Sequence, residues 1–543
     1  MKRLNILLSA TWVGVSVWAA GTVMAAGAAM AAGAVMAAGE NLLVNPGFEE
    51  STCSSSSNEG NWGWFKDGAV ATKGWKGGGN AGLAKAGSTT WKKTRTGNWT
   101  AYLQRYRPWG AGSNSFLEQT IKTTADGVYE FSCDLAMREG FEAGWLGFSV
   151  SDGQTTRECE AIRYSSTDYK RAVWRVTLKG GVDYTLRLHQ FDGLEKDTAA
   201  LIDDCSFTYC GVHALPKGLA TPTIHVTDLF RPHGDPDDHW DLATQFALAK
   251  IGAIDLRGVI GDYPPIAVRK RVIQPDITAV AQLDWITGLG VAMGVGQPDW
   301  GQPLRSGLVL LKRTLEEAQV PVVLHVIGSS KDVAEAGTLW PELFKAKVKG
   351  IYLNAGAAVQ TKTLEWNVNL DPKPYATMFK LPCPIYWMPC FDVVGKMGGT
   401  HGTWWKFRMA RAFEQMRPPV KNFFNGMFAK RNPSDWLTFL DEPVDQAALD
   451  KTGKQLRNMW CTAGFLHAGG LTVWKDGTIA KLGEAPEKEV FRFVPVTVTC
   501  RDDGRTAWQP AAQAGTRFIF EITDEKAYPE AMAKALAELM FAL

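Results

Sequence analysis

Between residues 211 and 222 the pattern of the chain changes, and that change limits the fold more than any other feature. The stretch GVHALPKGLATP carries two prolines and two glycines without hydrophobic periodicity, which is the composition of a linker. Before it the chain reads as strands alone. Runs such as VYEFSCDLAM (128–137), LGFSVSDG (146–153), AVWRVTL (172–178) and DYTLRLHQF (183–191) alternate apolar and polar residues between Gly, Asp and Ser turn clusters. That spacing predicts a β-sandwich or jelly roll. After it, the strand-like TIHVTDLF, IDLRGVIGD, VPVVLHVIGS and KGIYLNAG alternate with the helical runs LATQFALAKIG and DVAEAGTLWPELFKA. Such alternation predicts a mostly parallel sheet flanked by helices. The expectation is a multidomain chain, with an all-β jelly-roll sandwich over residues 40–212, a linker at 213–221 and an α/β domain over 222–543.

The start of the chain lies outside this scheme. Met-Lys-Arg is followed by an apolar stretch and then by MAAGAAMAAGAVMAAG (24–39), which has too little variety to build a core. Residues 1–39 read as a secretory signal with a low-complexity tail, an uncleaved membrane anchor being the alternative. The expected location is secreted, periplasmic or at the cell surface, with no membrane contact once the signal is cleaved. Basic and acidic residues nearly balance, 58 against 56, which argues against a nucleic-acid groove or a polybasic membrane surface. A small molecule or a sugar is the expected partner. Nine cysteines show no C-x-x-C spacing. Cys205 with Cys210 and Cys383 with Cys390 are close enough in sequence to pair, buried free thiols being the other reading.

Within the β-rich part, NLLVNPGFE (41–49) and AALIDDCSF (199–207) resemble the end strands of galactose-binding-like jelly rolls, which include many carbohydrate-binding modules. Between them lie Trp62, Trp64, Trp75, Trp91, Trp99, Tyr102, Tyr106 and Trp109. Flat aromatic faces stack on sugar rings, so glycan binding is one reading and core filling the other.

The most informative segment is HVTDLFRPHGDPDDHWDLATQFALA (225–249). A strand ends at Asp228, a Gly/Pro turn follows, and Asp235, Asp237, Asp238 and Asp241 lead into a helix. Ligands in open α/β sheets sit beyond the carboxyl ends of strands, where this turn lies. Carboxylates so crowded repel one another unless a cation joins them, and a hard oxygen-binding ion such as Ca²⁺ would do so. Helix capping by Asp235 and Asp237 explains one or two of the five, not all.

This strand, aspartate-rich turn and helix resemble the metal-binding motif of inosine/uridine-preferring nucleoside hydrolases. The adjacent pair Asp237 and Asp238 matches well, and either Asp228 or Asp235 fills the upstream position. A second match follows in order: VIGSSKDVAEA (326–336), WPELFKAKVKGIYLNAGA (340–357) and LEWNVNLDPKPYATMF (364–379). The resemblance implies that Asp228 and Asp238 hold the metal and that Asp235 and Asp237 do the catalytic work. It also implies that Glu365 and Asn367 bind substrate; Asn354, in the turn before them, and His467, placed to reach inward from a later helical run, are the further substrate-binding candidates. The implied reaction is hydrolysis of the N-glycosidic bond of a ribonucleoside or related riboside by water attack at the anomeric carbon, with Ca²⁺ and no organic cofactor.

One departure bears on function. The family's late His-Asp pair has no counterpart in RNMWCTAGFLHAGG (457–470), where Met459 and Trp460 stand instead. His467 and His401, the latter in the loop GGTHGTWWKF (398–407), are candidate replacements for the histidine, and Asp262 for the aspartate. The alternative function is a non-catalytic or altered-substrate protein that binds a glycan or polyol on the same scaffold. A third, hydrolysis of an O-linked polysaccharide, needs two carboxylates facing across a cleft.

Overall fold

A computed structural model of the chain describes residues 40–543 except 55–60, 89–92, 106–114, 160, 191–196, 212–214, 217, 232–235, 265–272, 430–435, 512 and 514. The signal-like residues 1–39, Trp91, Tyr106, Trp109 and Asp235 therefore lie outside the described residues. Among those described, no helix is long and apolar enough to cross a membrane.

The first region is a sandwich of two six-stranded antiparallel sheets. Its strands bury alternate residues. In Asp183–Gln190, Tyr184, Leu186, Leu188 and Gln190 point inward while Thr185, Arg187 and His189 point out, the period-2 pattern of a sheet with one wet face. Phe131 of one sheet stacks on Phe148 of the other at 4.6 Å, with Trp174 beside both. The opening run NLLVNPGFE is not the expected strand. Asn41 makes one bridge to Thr208, and the chain then turns through Asn45 and Phe48, both at positive φ. The closing run lies in the long strand Thr198–Gly211. Of the aromatics, Trp75, Trp99 and Tyr102 are buried in the sandwich, and Trp62 and Trp64 are half-buried on its edge strand Trp62–Trp64.

The second region opens with β1 (Thr221–Thr227), α1 (Asp237–Lys250), β2 (Ile254–Gly261), β3 (Ala292–Val295) and β4 (Val322–Val326). It continues with α2 (Lys331–Leu339), β5 (Val348–Asn354), α3 (Trp366–Leu370), β6 (Ile385–Met388) and α4 (Thr462–Ala468). The chain ends in β7 (Phe491–Cys500), β8 (Thr506–Pro510), β9 (Arg517–Ile522) and α5 (Tyr528–Ala542). The nine strands form one mixed sheet in the order β3-β2-β1-β4-β5-β6-β9-β7-β8. Strands β1 to β6 and β9 run parallel, and β7 and β8 are added antiparallel at one edge. Every residue of β4, VVLHV, is buried, as expected of a central parallel strand covered on both faces. The run DVAEAGTLWPELFKA forms two helices, not one. It breaks at Trp340 because Pro341 cannot continue a helix and starts the next, Pro341–Lys347.

The strand order matters for function. From β1 the chain moves outward through β2 and β3, then returns to lay β4 on the opposite side of β1. The connections leaving β1 and β4 therefore belong to opposite sides of a topological switch point, the place at the carboxyl edge where open α/β sheets form a ligand crevice.

Candidate active site

Asp228 follows β1 directly and Asp262 follows β2, so both stand at this crevice. Residue 328, just past β4, must be glycine for them to meet. A β-carbon there would fall 2.7 Å from the Asp228 nitrogen and 2.8 Å from its β-carbon, and would also strike the Asp262 carboxylate. Asp262 Oδ2 accepts the Ser329 N–H at 2.6 Å, and Ser329 Oγ donates to Asp371 at 2.7 Å. Asp262 Oδ1 is buried without a partner. Burial first, then the charges of Asp332 and Asp228, push the Asp262 carboxyl well above the ordinary range.

Asp237 and Asp238 occupy the first turn of α1, both buried, with Asp241 one turn on. Pro236 holds the N-cap position and no side-chain hydrogen bond caps the helix. Both aspartates are thus placed against the positive end of the helix dipole. His239 turns the other way, towards Asp276 at 3.4 Å.

The segment expected to meet these aspartates arrives from β5 and α3. Asn354 is the last residue of β5. Its amide donates to Met388 O at 3.0 Å and Thr403 Oγ1 at 3.1 Å, and its Oδ1 accepts from two buried thiols, Cys461 at 3.3 Å and Cys390 at 3.5 Å. All four of its hydrogen-bonding positions are filled by protein groups. Glu365 caps α3, with Oε1 taking the Asn367 N–H and Oε2 those of Gly356 and Val368. Burial raises its carboxyl, opposed by those three bonds. Asn367 spends both amide protons on Ile327 O and Asn354 O, at 2.9 and 3.1 Å, tying α3 to the ends of β4 and β5. Its Oδ1 is the group left for a ligand. Trp366, between them, is 61% exposed.

The Cys390 thiol marks where the two segments converge. It is pushed up by burial first, then by Glu365, and next by Asp237 and Asp228. Cys461, just before α4, is raised by burial and then by Asp241, with Cys390 and Asp237 adding to it. Asn354, Cys390 and Cys461 thus form one buried, hydrogen-bonded floor within reach of the charges of Glu365, Asp237, Asp228 and Asp241. Among the described residues, no three His, Cys, Asp or Glu side chains are arranged to hold a metal ion.

The two candidate histidines lie in other surroundings. His467 packs against Tyr352, Tyr386 and Phe493, and its Nδ1 meets the Tyr352 hydroxyl at 2.7 Å. Burial, aided by Lys349, lowers it to about 4. His401 Nδ1 bonds Phe520 O of β9 at 2.9 Å and its ring packs edge-on against Trp508 of β8, which ties its loop to the sheet.

No family model and no curated protein matches this chain. Solved structures similar to it include a purine-preferring ribonucleoside hydrolase from Gardnerella vaginalis, 14% identical, covering 60% of this chain and 100% of that one, with a TM-score of 0.37. The inosine-uridine preferring nucleoside hydrolase from Bacillus anthracis is 13% identical over 59% of this chain and 100% of its own, with a TM-score of 0.34. The module TmCBM61, solved with β-1,4-galactotriose, is 17% identical over 31% of this chain and 99% of its own, with a TM-score of 0.20.

Proposed function

We propose that the second region hydrolyses the N-glycosidic bond of a ribonucleoside or related riboside in the crevice between β1 and β4. The observation that carries this reading is the close approach of Asp228 and Asp262 around Gly328 at the switch point of the sheet, with Asp237 and Asp238 buried in the first turn of the helix that follows β1. In the proposed reaction a carboxylate, Asp235 by preference, takes a proton from water as its oxygen attacks the anomeric carbon. The carbon–nitrogen bond breaks with its electron pair passing to the base, through an oxocarbenium-like state that nearby carboxylates stabilise. Asp237 and the Asn367 Oδ1 accept hydrogen bonds from the sugar hydroxyls. Trp366, exposed between Glu365 and Asn367, offers a flat face for an aromatic leaving group. Asn354 and His467, expected to touch substrate, act in this reading through the groups they hold.

Asp228 and Asp238 are the proposed calcium ligands. A calcium ion held there would lower the pKa of a bound water and so ease loss of its proton to the carboxylate. Secretion and glycan binding complete the proposal, with the half-buried Trp62 and Trp64 as the aromatic platform of the sandwich. Release of free base from inosine and uridine, with calcium chloride or a chelator added, tests the reading. Base released by the purified chain and lost in Asp237→Asn supports it.

The second reading, a non-catalytic or altered-substrate polyol binder, is favoured by Met459 and Trp460 at the late His-Asp position. It predicts saturable binding of a sugar or polyol with no release of base.

A further inference from the structure

We propose that Cys133 and Cys205 are a disulfide-forming pair that ties together the two longest strands of the sandwich, Gly127–Met137 and Thr198–Gly211. The strand register brings them together. Asp134 faces Asp203 and Ser132 faces Ser206, so the single residue Cys133 is opposed by the two residues 204 and 205 at a β-bulge. Asp204 takes the positive-φ position of that bulge, and its carboxylate accepts a bond from Thr96 Oγ1 at 2.6 Å. Cys205 instead turns inward, and both cysteines are buried in the same inter-sheet core. Directly opposed residues of antiparallel strands have α-carbons about 4.5–5.5 Å apart, inside the roughly 4.4–6.8 Å that a disulfide spans. Burial first, and then the neighbouring Cys133 thiol, push the Cys205 thiol up, in keeping with the register.

The pairings that sequence proximity suggested are closed by the fold. Cys205 and Cys210 lie five residues apart in one extended strand, about 16 Å at the usual strand rise, and Cys383 and Cys390 flank the whole of β6. Both thiols of the proposed pair are free in this structure. Bonding them removes two protons and two electrons, which an organic disulfide such as glutathione disulfide accepts as it is cleaved to two thiols. One cysteine thiolate attacks the reagent to give a mixed disulfide and expels one glutathione, and the other cysteine then displaces the second. Buried thiols ionise with difficulty, so the exchange belongs to folding, before the two sheets close over the pair.

Refolding the full chain from denaturant, with a glutathione redox couple or with dithiothreitol, tests the pair. Denatured alkylation and non-reducing peptide mass mapping are the readouts. The glutathione sample should leave two of the nine cysteines unalkylated and yield one linked peptide joining 133 to 205. Its thermal midpoint should exceed that of the dithiothreitol sample by roughly 5 °C or more, since the bridge closes a long loop. Cys133→Ala and Cys205→Ala should each abolish that difference, and where a variant fails to fold the peptide map of the unmodified chain decides. Nine alkylated cysteines, or a linkage between any other pair, overturns the proposal.

Discussion

In the sandwich most buried polar side chains close their bonds locally. Ser115 Oγ donates to Gln104 O at 2.6 Å and accepts the Asn80 N–H, while Asp203 accepts three backbone N–H groups; Gln190 Oε1 is an exception. The parallel sheet of the second region keeps buried groups that find no partner: Asp262 Oδ1, Asp332 Oδ2, Glu335 Oε2 and both ring nitrogens of His225. Each such group costs about 1–3 kcal/mol. The carboxylates lie where strand ends meet, and His225 lies deeper, in a row across the sheet with His325, Tyr352, Tyr386 and Phe518. The difference teaches that the interior of the first region is built mainly for packing, whereas the second gives up stability to hold polar groups at and beneath one crevice.

The largest effect expected from breaking this contrast is at Gly328. Gly328→Ala forces a methyl group into the Asp228 backbone and the Asp262 carboxylate, and the main chain cannot yield as a flexible side chain would. A loss of about 3 kcal/mol in urea unfolding is expected, together with loss of ligand binding. Unchanged stability would mean that the strand ends are looser than described.

Next comes Asn354→Ala. It strands the Cys390 and Cys461 thiols and releases Met388 O and Thr403 Oγ1, all buried. Destabilisation of about 2–3 kcal/mol is expected by chemical denaturation. A neutral result would show that water replaces the amide.

The remaining effect is a matter of pH, with two opposite signs that partly cancel in the unmodified chain. His225 is held down to about 3 by burial, so between roughly pH 6.5 and 3 the unfolded chain binds a proton that the fold refuses. Stability contributed by this group falls by about 1.4 kcal/mol for each unit the pH drops through that window. Asp332 is pushed up to about 6, chiefly by burial, so the fold retains a proton that the unfolded chain releases near pH 4. Its contribution falls as pH rises from roughly 4 to 6. Urea midpoints measured across pH 4–6.5 should therefore rise less steeply with pH in His225→Phe than in the unmodified chain, and more steeply in Asp332→Asn. Parallel profiles for all three would deny that these groups are buried as described.

Much of this was legible in the sequence. The alternation after residue 222 foretold β1, α1, β2, β4 and β5 in order, because central parallel strands are continuous apolar runs and the helices between them are apolar too. The aspartates announced themselves by crowding, and Asp262 by standing after GVIG at a strand end. Of the floor of the site, only Asn354 was legible. Asn354, Cys390 and Cys461 come from three separated segments, and no C-x-x-C spacing marks the thiols, so only the strand order brings them together. Glu365 read as a ligand contact is a helix cap in the structure, a role its position two residues before Asn367 allows equally well. The pairing of Cys133 with Cys205 depends on a bulge that no periodicity reveals.

The central claim is that the crevice beyond β1 and β4 binds a ribose-like sugar through Asp237 and Asn367. Calorimetric titration of ribose, inosine and a panel of monosaccharides into the full chain, Asp237→Asn and Asn367→Ala tests it most directly. The account predicts saturable binding of ribose or inosine by the unmodified chain, weakened at least tenfold, about 1.4 kcal/mol, in each variant, because each leaves a buried sugar hydroxyl unpaired. Binding that both substitutions leave unchanged would contradict it.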